Sequence, residues 1–442
     1  MKFPLELETT KPKPVLLLKE DEVRRGVSKP IEEASRALDS ARRENNTFND
    51  YITINDAAVE DATALERELK SGAAPPLAGL PISVKDMILT RGLRTTMGSS
   101  LFKDFVPSYD AEVVSRLREA GALIVGKTNL HEFASGVTNL SSVVGPARNP
   151  RDPARITGGS SGGSAASVAL GSAIASLGTD TSGSVRIPAA LCGVVGYKPT
   201  YDLLSRDGVF PLAWSLDHVG LLAKTVPDVA YVANVLEGRT GRIDVEWAVR
   251  GIEPEDLNLA YLDVDIGFYQ NVVTQLGSRG VRITKVALDL EKWNSLQRVV
   301  RLVEAASVHR GWFSSNPEAY SPDVAALLKE GLSFRAVDYV DSLRARREVM
   351  DEFLRETRGF HALLTPTISV VAPSVNEVEG RELQFRTVAT KYVSFANYLG
   401  VPAISVPAGS LDGLPVAVQL VGRPYEDSVV LAAARTLETL LS

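Results

Sequence analysis

The chain has 442 residues, 45% hydrophobic, 23% charged and 7% aromatic, which is the balance of a globular protein and excludes collagenous, disordered and membrane-spanning classes. A formal net charge of -6 gives no electrostatic reason to expect a nucleic acid as direct partner. The single cysteine, Cys192, excludes an internal disulfide and a thiolate metal cluster, and with four histidines no metal and no cofactor is expected.

The N-terminal run M-K-F-P-L-E-L-E-T-T-K-P lacks the apolar core of a secretory signal, and no apolar run approaches membrane-spanning length. The expected compartment is the cytoplasm, without membrane attachment. Residues 1–70 alternate charged and apolar positions at helical spacing and read as surface helices packed on a main body of residues 71–442. A Pro/Gly connector over 71–81 leads into I-S-V-K-D-M-I-L, which alternates as a strand and carries Lys85 at its end. Over 111–120, Val113, Val114, Leu117 and Ala120 share one helical face, Glu112 and Arg116 form an i,i+4 pair, and Gly121 is a C-cap. The apolar run 122–125 follows as a buried strand. Further strands are expected at 362–366 and 403–409, the second paired as a hairpin with 416–422, and amphipathic helices at 295–312, 334–357 and 429–441. Helices alternating with short apolar strands predict an α/β layer structure around one sheet.

Between Thr157 and Pro188 the chain reads T-G-G-S-S-G-G-S-A-A-S-V-A-L-G-S-A-I-A-S-L-G-T-D-T-S-G-S-V-R-I-P. Two serine-bearing glycine turns flank a run of tiny residues, and residues 157–200 hold nine of the 34 glycines. Glycine clusters where backbone must come close to a ligand or to other backbone. Two short motifs compete for the region's interpretation. Gly121 to Thr128 fits G-x-x-x-x-G-K-[ST], but a phosphate loop must follow a strand and be a loop, whereas here a helix precedes and the variable positions are strand-like. The segments 158–162 and 159–163 fit the G-x-S-x-G nucleophile elbow, with His218, His309 and His361 downstream as possible triad partners. That scheme leaves the second turn, around Ser184, without a purpose.

The blocks P-I-S-V-K-D, T-G-G-S-S-G-G-S-A-A and G-T-D-T-S-G-S-V-R-I-P-A-A-L-C-G-V-V-G-Y-K-P-T together resemble the amidase signature family of serine hydrolases. The resemblance runs from about residue 80 to 236 and returns at L-L-T-P-T and L-G-V-P-A-I-S-V-P. It implies one large α/β domain, a central mixed β-sheet covered by helices on both sides. It also implies a Ser-Ser-Lys triad: Ser184 as nucleophile, Ser160 as the bridging serine behind a cis peptide, and Lys85 as terminal base. The backbone N–H groups of Thr181, Ser182, Gly183 and Ser184 match the family's oxyanion hole, and Ala134 and Ser135, in H-E-F-A-S-G, its substrate-facing stretch. A homodimer is a family-level expectation.

The chemistry agrees on independent grounds. An amide is a poor electrophile, so its hydrolysis needs an activated alkoxide, an oxyanion site and a proton for the leaving nitrogen. A lysine of ordinary pKa (~10.4) is only about 0.1% neutral near pH 7, and burial lowers that pKa by up to ~3–5 units. The uncharged Gly/Ser/Ala surroundings expected around Lys85 suit such a shift. Each residue also has a plainer role open to it. Ser160 could cap the helix that begins near Gly162, and Lys85 could pair with Asp86. Ser161 and Ser182 read as turn residues, Asp180 and Arg186 as braces of the nucleophile turn, His218 as pocket or structural, and Cys192 as a buried small hydrophobe. Phe210, Trp214 and Trp312 are pocket walls or core.

One family branch, the A subunit of glutamyl-tRNA(Gln) amidotransferase, releases ammonia from glutamine within a larger assembly. Its members carry an arginine-containing segment leading into Y-Y-D-A-Y-Y, where this chain has F-R-A-V-D-Y-V-D-S-L-R-A-R-R. The expectation is therefore a stand-alone amidase taking a small-molecule linear amide to acid and ammonia or amine through an acyl-enzyme. The alternative is a glutaminase that works only with amidotransferase partner subunits.

Overall fold

Among the described residues eleven strands form the sheet: β1 (Tyr51–Ile54), β2 (Pro81–Lys85), β3 (Leu123–Thr128), β4 (Ala175–Asp180), β5 (Val195–Lys198), β6 (His218–Ala223), β7 (Asn258–Leu262), β8 (Arg282–Val286), β9 (Ala362–Pro366), β10 (Ala403–Leu411) and β11 (Leu414–Val421). Their order is β1-β3-β2-β4-β6-β5-β10-β11-β9-β7-β8. The computed structural model describes residues 14–441 apart from 26, 71, 73 and 239. The stretch 1–12, read for a signal, and two residues of the 71–81 connector thus lie outside the described residues.

The sheet is mixed. β2 runs parallel to β3 and β4, and β7 parallel to β8 and β9, while β4-β6, β6-β5, β5-β10, β10-β11 and β11-β9 are antiparallel. Helices cover both faces, and strands β2–β6, β9 and β11 are buried along their whole length. In β6, Leu221 and Ala223 enter one core and Leu222 another; in β9, Leu364 and Leu363 divide in the same way. Among the described residues no helix is long and apolar enough to cross a membrane.

The expected 111–120 helix spans Glu112–Glu119, with Gly121 in the left-handed region at φ 81°. β3 runs on from the apolar 122–125 through Lys127 and Thr128, so the last residues of the phosphate-loop pattern are strand. Lys127 is fully buried and donates to Ile88 O, Thr90 Oγ1 and Thr95 Oγ1. β10 and β11 form the expected hairpin, and the later helices are Leu290–Ser315, Ala336–Glu356 and Asp427–Leu441.

The expectation of helices alone over residues 1–70 fails at β1. Y-I-T-I is too short to show a period, but pairing with β3 makes it an edge strand. β4, β5 and β6 carry Gly, Ser, Thr and His among few large apolar residues, and sheet pairing on both sides fixes them as strands. The Gly162–Leu170 helix is buried from Gly162 through Val168. A Cβ on Gly163 would lie 2.4 Å from Asp50 O, and one on Gly178 would lie 2.9 Å from Ser161 Oγ. Much of the glycine in this stretch therefore serves packing of protein against protein. The parallel register of β3, β2 and β4 brings their carboxyl ends together, the usual place for a ligand crevice in such sheets.

Candidate active site

Lys85 ends β2 and Thr179 is the penultimate residue of β4, so the two meet at the carboxyl edge of the sheet. Lys85 Nζ, fully buried, lies 2.7 Å from Ser160 Oγ, 2.8 Å from Thr179 Oγ1 and 3.4 Å from Thr179 O. The Thr179 hydroxyl donates its own proton to Met87 Sδ at 3.2 Å, which leaves its oxygen to accept from the lysine. A neutral amine has two N–H groups and one lone pair. With the two Thr179 oxygens taking the N–H groups, the lone pair is left for Ser160. Burial drives the Lys85 pKa from 10.5 to about 7, against opposing pulls from Asp180 and Asp217. Lys85 makes no pair with Asp86, whose carboxylate lies 3.9 Å from Lys127 and accepts from Thr96.

The Gly159–Ser160 peptide is cis, and Ser160 O accepts from the His131 N–H at 3.1 Å. Ser160 does not cap the following helix; Ser161 holds the N-cap position, without a side-chain cap bond. Ser161 instead ties three strands of chain together, its N–H donating to Ser184 O at 3.1 Å and its hydroxyl to Thr179 O at 3.2 Å. The two glycine turns are thus joined through Ser161 and Ser184. Among the described residues no hydrogen bond links the Ser160 and Ser184 hydroxyls.

Ser184 leads into the short Arg186–Cys192 helix, and its turn is anchored by Asp180. Asp180 accepts from the N–H groups of Gly183 (2.8 Å) and Val185 (3.1 Å) and from Arg186 Nε and Nη2 (3.0 and 2.8 Å). Asn397 Nδ2 adds a bond to the same carboxylate, and Arg186 also reaches Val393 O, Gln419 and Asn397. Arg186 and its network hold the Asp180 carboxyl well below the usual range against the penalty of burial. Asp180 and Arg186 therefore brace the turn.

The Gly183 N–H is engaged by Asp180, and this sets it apart from the other three expected oxyanion donors. Gly183 serves the turn through its backbone angle, φ 102°, where a Cβ would also stand 2.3 Å from Val393 Cγ2. The N–H groups of Thr181, Ser182 and Ser184 are the ones that remain. Thr181 and Ser182 are pinned from outside: Thr181 Oγ1 donates to Asp217 (2.6 Å), and Gln297 Nε2 donates to Ser182 Oγ (2.7 Å) and Thr181 O (3.0 Å).

The brace can be tested. Both members of the Asp180–Arg186 pair are wholly buried, and removing one partner of such a pair costs about 3–5 kcal/mol. Arg186→Met is expected to lower the unfolding free energy by that amount in urea titration. A loss under about 1 kcal/mol would show that the turn is held otherwise.

Ala134 and Ser135 follow His131, whose N–H donates to Ser160 O. Phe133 and Ala134 both have positive φ, 50° and 55°, and Ser135 Oγ is buried with no hydrogen-bond partner among the described residues. Phe210 and Trp312 stack at 5.9 Å and join Phe102, Phe133 and His309 in one aromatic cluster beside Ala134 and Met87. Trp214 stands apart, lining a surface recess with Asp202, Arg206 and Asp217. His218 is buried, with Nδ1 2.7 Å from Leu216 O; burial and Lys198 push its pKa well down. His309 Nδ1 lies 3.1 Å from the Tyr320 hydroxyl and His361 Nδ1 accepts from the Asn258 N–H, and among the described residues neither ring hydrogen-bonds Ser184. Cys192 is buried among Ala165, Val168 and Val185. Among the described residues, His, Cys, Asp and Glu form no group able to hold a metal ion.

Thr179 lies within the G-T-D-T-S-G-S block, but nothing in the pattern pointed to its contact with Lys85, 94 residues away. Gln297 and Asn397 are polar residues whose partners lie far along the chain, and no motif marks them.

A family model described as Amidase matches residues 32–431. The A subunit of the glutamyl-tRNA(Gln) amidotransferase of Exiguobacterium sp. (strain ATCC BAA-1283 / AT1b) is 34% identical, over 96% of this chain and 95% of that protein. Among solved structures, one described as an amidase superposes with a TM-score of 0.89 at 34% identity, covering 97% of this chain and 100% of its own. The native peptide amidase of Stenotrophomonas maltophilia superposes with a TM-score of 0.82 at 26% identity, covering 95% and 96%.

Proposed function

The chain belongs to the amidase signature family, and on that footing we propose that it hydrolyses a linear carboxylic amide to acid and ammonia or amine through Ser184, Ser160 and Lys85. The observation that carries this reading is the 2.7 Å contact between a wholly buried lysine and Ser160. Neutral Lys85 takes the Ser160 proton while Ser160 takes that of Ser184, and Ser184 Oγ attacks the carbonyl carbon. The N–H groups of Thr181, Ser182 and Ser184 receive the oxyanion. As the tetrahedral intermediate collapses, the C–N bond breaks and the proton returns along the same chain to the leaving nitrogen. Water then enters by the same steps and releases the acid from Ser184.

A second reading has support in the matched glutamyl-tRNA(Gln) amidotransferase sequence, under which the chain would release ammonia from glutamine beside partner subunits. Purified chain alone separates the two. Steady hydrolysis of simple amides is expected, and His218→Ala should retain it, because Nδ1 is engaged by Leu216 O. Activity confined to glutamine and dependent on added partner subunits and tRNA would favour the second reading. Selective loss in His218→Ala would favour a histidine triad.

A further inference from the structure

Arg301 stands one helical turn beyond Gln297 on the Leu290–Ser315 helix, so the two side chains share a face. Gln297 touches Ser182 and Thr181, and this face therefore looks onto the nucleophile turn. Arg301 is only 3% exposed, yet its Nη1 has no hydrogen-bond partner and its guanidinium no ion pair among the described residues. The neighbouring acid, Glu330, is taken by Arg298 through both carboxylate oxygens. Burial above all, and then the positive charge of Arg386 and Arg298, weighs against the charged form of Arg301, with only a weaker opposing pull from Glu330. A guanidinium cannot escape by giving up its proton, so a buried one without a partner calls for an anion.

Ser182, Arg301 and Arg386 line a single cavity of about 560 Å³. Arg386 also donates to Ser135 O, which ties the far wall of that cavity to the 132–135 segment of the site. The cavity thus runs from the nucleophile turn to an unpaired guanidinium. Glu291 and Glu330 share its wall, and they oppose a dianion such as a phosphate monoester.

We propose that the substrate is an amide bearing a carboxylate, and that Arg301 receives this carboxylate while the amide carbonyl lies at Ser184. The proposal rests on Ser184 being the nucleophile. Arg301 would act as a binding residue whose planar fork matches the two carboxylate oxygens.

The test uses malonamate, succinamate and glutaramate, each paired with its uncharged diamide. In thermal unfolding of the full Ser184→Ala chain, one of the three monocarboxylates should raise Tm at a concentration about tenfold or more below that required of its diamide. This selectivity should vanish in Ser184→Ala/Arg301→Met and survive in part with Arg301→Lys, which keeps the charge without the fork. Unliganded Arg301→Met should unfold at the same temperature as wild type or higher, because it removes an unpaired buried charge. In wild-type kinetics, kcat/KM for the preferred monocarboxylate should exceed that for its diamide by about 100-fold, the scale of losing one side of a buried charge pair. Equal stabilisation by every acid and its diamide, selectivity that outlasts Arg301→Met, or a fall in Tm of that variant would overturn the proposal. Loss of all hydrolysis with the binding selectivity intact would instead overturn the catalytic reading and leave the carboxylate site standing.

Discussion

Replacing Ser184 with alanine is expected to lower kcat for amide hydrolysis by about five orders of magnitude, with KM little changed. Ser184 supplies the atom that becomes bonded to the acyl group, and removing such a nucleophile costs about 10⁶-fold in a serine protease whose oxyanion site is left in place. The remaining N–H groups of Thr181, Ser182 and Ser184 would still polarise a bound carbonyl, which sets the floor of residual activity. The measurement is single-turnover ammonia release, and Ser184→Ala must also fail to form the acyl-enzyme adduct detectable by mass spectrometry after rapid quench. Activity within tenfold of wild type would remove Ser184 from the mechanism.

Lys85→Ala is expected to cost about 10²–10⁴-fold in kcat, the range of a positioned general base, and to change the shape of the pH profile. The lysine works only when neutral, and its pKa lies near 7 because the site is desolvated. Wild-type kcat/KM should therefore rise with pH through about 7 and level off above it, and Lys85→Ala should lack that limb. The same shift has a consequence for stability. Between about 7 and the unfolded value of ~10.4 the unfolded chain binds more protons at this position than the native one, so this group's contribution to stability increases with pH across that window. A wild-type profile that falls through pH 7, or a variant that keeps the limb, would exclude Lys85 as the base.

The depressed pKa and the hydrogen bonds around Lys85 belong together. Thr179 offers two oxygens and Ser160 a hydroxyl, with no carboxylate of the described residues within ion-pair distance, so among them nothing at close range restores what burial removes. The other buried lysine of the neighbouring strand, Lys127, has Asp86 at 3.9 Å. Two lysines at the ends of adjacent strands are thus given different electrostatic surroundings.

Much of the site was legible as local pattern. The strand ending in Lys85, the Gly-Ser turn with Ser160 and the turn with Ser184 each show in the sequence, because turns and strand ends are encoded by neighbouring residues. The hairpin β10-β11 and the long C-terminal helix were legible for the same reason. β1 and β4–β6 were not, since short strands containing small or polar residues are defined by the strands beside them. The glycines of 157–200 were visible as a cluster, but the sequence left open whether a ligand or other backbone approaches them, and several meet other backbone.

What the sequence by itself determined is the α/β class, the order of the strand and helix segments it marked, and the residue types available to do chemistry. The tertiary structure decided which of those residues meet. Lys85 and Ser160 are 75 residues apart in sequence and 2.7 Å apart in space. Asp180 claims the N–H of Gly183, Thr179 holds the lysine, and the Leu290–Ser315 helix brings Gln297 to the nucleophile turn and Arg301 to a cavity that Ser182 also lines, from more than a hundred residues away. The reason is physical: backbone preference acts over a few residues and leaves a periodic trace, whereas a hydrogen bond or an unpaired charge depends on which distant side chain the packed sheet brings within reach.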